Sequence, residues 1–204
     1  MTQEELHSWK TSMDQFVIHD IRVALQKDIL EAGLIILTLV GIESLSGYYM
    51  GEKADRDTFI SFLQTDFFPK TYHTLAEDIY RLRNKLLHDY TSTGDTVVLF
   101  RTEDQAHSHG LKHLHPIYPE RQYPFCLVRE KFSKDLLIAW DNFSSAVFSD
   151  KNLANNVLRR IQKTGRGFLI VTEIPKNPLE GISTDKLNQI SDEGYAGGTI
   201  PYKL

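Results

Sequence analysis

Tyr80-Arg81-Leu82-Arg83-Asn84-Lys85-Leu86-Leu87-His88-Asp89-Tyr90 is the stretch from which both fold and site are read. It closes a helix predicted to start at Pro69, a residue suited to a first helical turn because its missing N–H has no partner there. At about 100° per residue, Leu75, Ala76, Ile79, Tyr80, Leu82, Leu86, Leu87 and Tyr90 fill one arc. Glu77, Asp78, Arg81, Asn84, Lys85, His88 and Asp89 fill the other. The segment is therefore an amphipathic helix. Arg83 falls in the middle of the apolar arc. A guanidinium there needs a carboxylate, backbone acceptors or a cleft. Glu43, the only acid between Ala32 and Gly51 in a very apolar neighbouring segment, is the attractive partner.

Asn84 and His88 stand at i, i+4 and can touch. Arg83 and His88 are five residues apart, about 140° around the helix. To act on one phosphate they need a cleft that wraps the helix end, or a second copy of the helix from a symmetric partner.

Working outward, residues 3–28 read as a first helix and 29–48 as a second, apolar nearly all round, ended near Gly47 and Gly51. The apolar run Leu34–Ile42 is nine residues, short of the roughly 20 that span a bilayer, so a buried core helix is expected. Residues 57–67 read as a short third helix. Thr96–Phe100, β-branched and apolar, reads as a strand. Residues 101–124 read as a long loop with room for one pairing strand. Helices are predicted over 130–148 and 150–163, a short strand over 168–174, and an irregular end over the last 30 residues. The organisation expected is a helical domain over 1–150, including a β/loop insertion at 95–128. A C-terminal helix and tail, 151–204, pack on the same domain.

The totals narrow the function. With 41% hydrophobic and 25% charged residues among 204, the chain can bury a sizeable core. A net charge of −4 argues against a broad non-specific nucleic-acid footprint and makes any such contact local. The N-terminus is polar and acidic, and Cys126 is the only cysteine. No leader and no internal disulfide are expected, which points to a reducing, cytoplasmic setting without membrane association.

The Arg83-Asn84-x-x-x-His88 spacing resembles the catalytic motif of the HEPN superfamily (higher eukaryotes and prokaryotes nucleotide-binding domains). That motif is an arginine, four to six residues and a histidine, with a polar residue after the arginine. The context is also similar: the motif closes a long helix, preceded by an aromatic-rich helix and a Gly-Tyr-Tyr-type turn. The resemblance covers roughly residues 10–150. It implies an all-α HEPN-like helical bundle with a small β-hairpin or loop insertion after the motif helix. It also implies a metal-independent endoribonuclease, often a toxin or part of phage defence, that dimerises so that two motifs line one cleft. His88 would transfer a proton, Arg83 would stabilise phosphate charge, and Asn84 would support them. Arg81, Lys85 and Tyr90 are the candidate substrate-binding residues. No cofactor is expected. Expected partners are a second copy, RNA or a nucleotide, and an antitoxin or other protein. The alternative is a non-catalytic HEPN-type module that binds nucleotide, RNA or protein.

Two further features bear on chemistry. His107, His109, His113 and His115 form two His-x-His pairs, which in a strand would place each pair on one side. Neutral imidazoles bind zinc, copper or nickel, but no Cys is near and the spacing matches no specific metal signature. Arg159, Arg160, Lys163 and Arg166 form a small basic patch that can guide RNA or simply end a helix. Lys163-Thr164-Gly165-Arg166-Gly167 is not a phosphate-binding loop, and Ser44-Leu45-Ser46-Gly47 lacks the nucleophile-elbow pattern.

Overall fold

A computed structural model describes residues 3–28, 31–88, 97–118 and 121–164. Its central element is α3, Glu31–Met50, which packs against most of the other helices. By length and composition Ala32–Met50 could cross a membrane. In the fold Leu34, Ile35, Leu39, Ile42 and Leu45 are all buried in the protein. Ile36 and Leu37 are half-buried and Val40 is 42% exposed, so one stripe of α3 is left uncovered.

The first helical segment is divided. α1 (Gln3–Met13) and α2 (His19–Gln26) are joined by a π-helical turn, Asp14–Ile18. The Asp14 carboxylate accepts from Trp140 Nε1 at 2.7 Å and from Lys10 Nζ at 2.5 Å, which ties the turn to the core. Gly41 permits a close approach here. A Cβ at that position would lie 2.8 Å from Leu136 and 3.4 Å from Ile21, so α3 sits tightly between α2 and α7 (Arg129–Ser149). The buried Thr38 and Ser133 hydroxyls, 2.8 Å apart, pin α3 to α7.

α4 (Arg56–Leu63) starts on a capping box. The Asp55 carboxylate accepts from the Thr58 N–H, and the Asp55 N–H donates to the Thr58 hydroxyl. The pairing satisfies two N–H groups that have no partner within the helix. α5 (Lys70–His88) follows and buries Tyr72, Leu75, Ala76, Ile79, Leu82 and Leu86. Leu75, Ala76, Ile79, Leu82 and Leu86 of the predicted apolar arc are thus packed, Tyr80 and Leu87 are half-buried, and Asp78, placed on the polar arc, is only 3% exposed. α8 (Lys151–Thr164) lies against α1, α3 and α7.

The segment after the motif helix is more than a loop or simple hairpin. β1 (Val97–Phe100) pairs in parallel with β3 (Arg121–Val128), and β3 pairs antiparallel with β2 (Pro116–Tyr118), giving the order β1-β3-β2. A short helix, α6 (Glu103–Ser108), lies in the connection that returns the chain for the parallel pairing, started by Thr102, whose hydroxyl accepts from the Gln105 N–H. The 101–124 loop expectation fails because this cap and the buried Ala106 are local helix signals hidden in a polar stretch. Asp28, at φ +49°, holds the insertion to the helices by accepting from both Arg101 and Arg129. These two guanidinium groups hold its carboxyl below the usual carboxylate range. The expected strand at 168–174 and the irregular tail lie outside the described residues.

Candidate functional site

Arg83 and Glu43 meet across the α3–α5 contact. Arg83 Nε donates to Glu43 Oε2 at 3.1 Å, and its NH2 group donates to Oε1 at 2.7 Å and Oε2 at 2.6 Å. Its NH1 group donates to Asn84 Oδ1 at 2.9 Å. The helical arc that looked anomalous for an arginine is therefore satisfied by the one acid that α3 presents to it. The pair is not sealed: the side chains are 16% and 26% exposed. A bidentate carboxylate matches the planar guanidinium fork and fixes its plane.

His88 is the last residue of α5 and is exposed. Asn84, half-buried, stands one turn before it. The three motif residues therefore cluster at one helix end. Arg83 and Asn84 are hydrogen-bonded to each other, and His88 is bonded to neither.

The candidate substrate-binding residues divide. Arg81 is exposed but turned to acids of its own helix, 3.3 Å from Glu77 and 3.6 Å from Asp78. Glu77 is also held by Arg56 at 2.6 Å, and the Arg56 hydrogen bond leads the interactions that lower its pKa. Lys85 is exposed. Tyr90 lies outside the described residues.

The four histidines do not converge. His107 belongs to α6 and is exposed, and His109 Nδ1 lies 2.9 Å from the Gln105 carbonyl. His115 is exposed, and the His113 side chain is 8% exposed. The strand geometry that would have paired them is absent, because 107–108 are helical and 109–115 turn back toward β3. Among the described residues no group of three His, Cys, Asp or Glu side chains is placed to hold a metal ion.

His113 instead joins a buried network that the sequence did not signal. The Val128 N–H donates to His113 Nδ1 at 3.0 Å, so Nδ1 is unprotonated and the ring proton sits on Nε2. Nε2 then donates to the Tyr72 hydroxyl at 3.0 Å, and that hydroxyl donates to Asp135 Oδ2 at 2.9 Å. Lys131 pairs with the second oxygen of Asp135. Burial, with Lys131 and His115 nearby, lowers the His113 pKa to about 3, and burial with the adjacent Asp135 raises that of Tyr72 well above its ordinary value.

The basic patch on α8 is also partly engaged. Arg159 donates to the Met50 and Gly51 carbonyls at 2.6 and 3.1 Å, and Asn156 to the Tyr49 carbonyl at 2.7 Å. These are the carbonyls that the end of α3 leaves without helical partners. Cys126 is fully buried, and burial pushes its thiol up to about 11, consistent with inert packing. Comparison with protein-family models, curated proteins and solved structures gives no match.

Proposed function

We propose that the chain is a HEPN-like helical bundle acting as a metal-independent endoribonuclease from the C-terminal end of α5. The supporting observation is the arrangement there: a guanidinium fixed by Glu43, an amide beside it, and an exposed histidine one turn further on. In the proposed reaction His88 removes the proton of a ribose 2′-OH. The 2′ oxygen attacks the adjacent phosphorus and the bond from phosphorus to the 5′ oxygen breaks. The products are a 2′,3′-cyclic phosphate and a 5′-hydroxyl, with a proton returned to the leaving oxygen. Arg83 stabilises the charge gathered on the phosphate oxygens. No metal is needed for these steps.

The reading includes a second copy of the chain. Ile36, Val40 and Glu43 lie at i, i+4, i+7 on α3, so the uncovered apolar stripe leads directly to the Arg83–Glu43 pair. A symmetric partner on that stripe would bring a second His88 toward the first Arg83, which answers the 140° separation of the two residues on one helix. An antitoxin or another protein partner is the further expectation of this reading, as is a cytoplasmic setting.

A second reading has its own support. The Glu43 carboxylate offsets the Arg83 charge, and a neutralised arginine suits a module that binds nucleotide, RNA or protein without cutting. One experiment separates the two: incubation of a mixed RNA pool in EDTA with wild type, His88→Ala and Arg83→Ala. Cleavage by wild type leaving 2′,3′-cyclic phosphate ends, lost in both variants, supports the ribonuclease. No cleavage by a folded wild-type dimer refutes it and favours the binding module.

A further inference from the structure

We propose that Glu43 is the positioning residue for Arg83, aiming the free edge of its guanidinium at a non-bridging oxygen of the scissile phosphate; this rests on the ribonuclease reading above. A guanidinium carries five N–H donors in a rigid plane. Glu43 engages Nε and NH2, and Asn84 Oδ1 takes one hydrogen of NH1. Among the described residues no other acceptor meets the group, so the distal edge of the fork retains donors for a ligand.

Two features argue that Glu43 does more than tie two helices together. The carboxylate stands on α3 between buried Ile42 and Leu45, so its anchor is fixed by the core and independent of α5. The guanidinium plane is thus set from two helices at once, and the rotamer freedom of a long side chain is removed before a ligand arrives. The exposure of both side chains keeps the pair at the rim of the fold, where a phosphate can reach the remaining edge.

The test is cleavage of an RNA carrying a single phosphorothioate, prepared as separate Rp and Sp diastereomers. An arginine bound to one non-bridging oxygen makes wild type cut the two forms at different rates. In Glu43→Gln, kcat on the all-oxygen RNA is expected to fall by about 10- to 100-fold, the scale seen when the partner that orients a functional group is removed. KM stays within about twofold of wild type, because the orientation matters most for transition-state charge. The diastereomer rate ratio collapses toward unity, and Glu43→Asp, which keeps the charge, restores part of it. A folded Glu43→Gln protein that keeps the wild-type ratio overturns the assignment. If Glu43→Gln does not fold, Glu43→Asp alone decides: a ratio unchanged from wild type overturns it and a reduced ratio supports it. Wild type that does not cleave, or Arg83→Ala that cleaves with an unchanged ratio, fails the underlying reading and takes this inference with it.

Discussion

His113 Nε2 lies 3.0 Å from the Tyr72 hydroxyl, and that contact closes a chain from the Val128 N–H through the imidazole and the phenol to Asp135. The chain has one consistent set of proton positions, and in it His113 is neutral. Its pKa near 3 in the fold, against 6.5 in the unfolded chain, makes the unfolded state the better proton binder between those values. Stability contributed by the neutral ring is complete above pH 6.5 and is lost progressively as pH falls toward 3. The groups that face the ring are Tyr72 from α5, Asp135 and Lys131 from α7, and His115 from its own segment. The expected loss is roughly 5 kcal/mol over the full window. His113→Gln is expected to lower stability at pH 7 and to flatten the slope between pH 6.5 and 4. Urea unfolding at a series of pH values checks both, and an unchanged slope in the variant refutes the assignment.

Removing the other member of the contact acts differently. Tyr72→Phe keeps the ring, which stacks near Phe132 and Phe68, but takes away the donor to Asp135 and the acceptor for His113. The Asp135 carboxylate is buried and the His113 ring nearly so, and each is left short of one hydrogen bond, at about 1–3 kcal/mol in total. The expected outcome is a lower urea midpoint with an unchanged m-value, since the packing survives. A variant as stable as wild type would show that Asp135 is satisfied by Lys131 alone.

The histidine pairs give a prediction of the opposite kind. His113 uses both ring nitrogens inside the fold, and His109 Nδ1 faces the Gln105 carbonyl. A metal would have to break the buried chain to recruit His113. Ligand binding to the native state stabilises it by mass action. Equimolar zinc or nickel is therefore expected to leave the melting temperature within error. A rise that disappears in a His107→Ala/His109→Ala/His113→Gln/His115→Ala variant would reinstate the metal site.

What the sequence made legible follows the physics of each signal. The helices around α3 and α5 were readable because long apolar periodicities and Gly51 mark them locally. The Arg83–Glu43 pair was readable because two anomalies, a cation in an apolar arc and an acid in the middle of an apolar helix, explain one another. The β1–β3 parallel pairing was not readable, since β3 lies beyond α6 and β2 and carries Pro124 in its run. The Tyr72–His113–Asp135 chain was not readable either. Its members come from three elements far apart in sequence, and a tyrosine in an apolar arc looks like ordinary core. The role of Arg159 in the α8 basic patch was not readable, because an arginine that caps another helix and one that waits for RNA look the same in sequence.

Gly51 supplies a test of that capping arrangement. It sits at φ +72°, a conformation that side chains other than glycine rarely adopt. A Cβ there would lie 2.7 and 2.8 Å from the Arg159 guanidinium and 2.8 Å from the Asn156 carbonyl. The arginine can swing away, but the carbonyl belongs to the backbone of α8 and cannot move cheaply. Gly51→Ala therefore adds positive-φ strain and loss of the Arg159 cap, for a cost of about 2–3 kcal/mol. Arg159→Ala alone loses the hydrogen bonds to the Met50 and Gly51 carbonyls and to Asn156 Oδ1, about 1–2 kcal/mol. Because both act on one contact, the double variant is expected to be less destabilised than the sum of the singles. Additive losses in urea unfolding would show that Arg159 and the turn at Gly51 act independently.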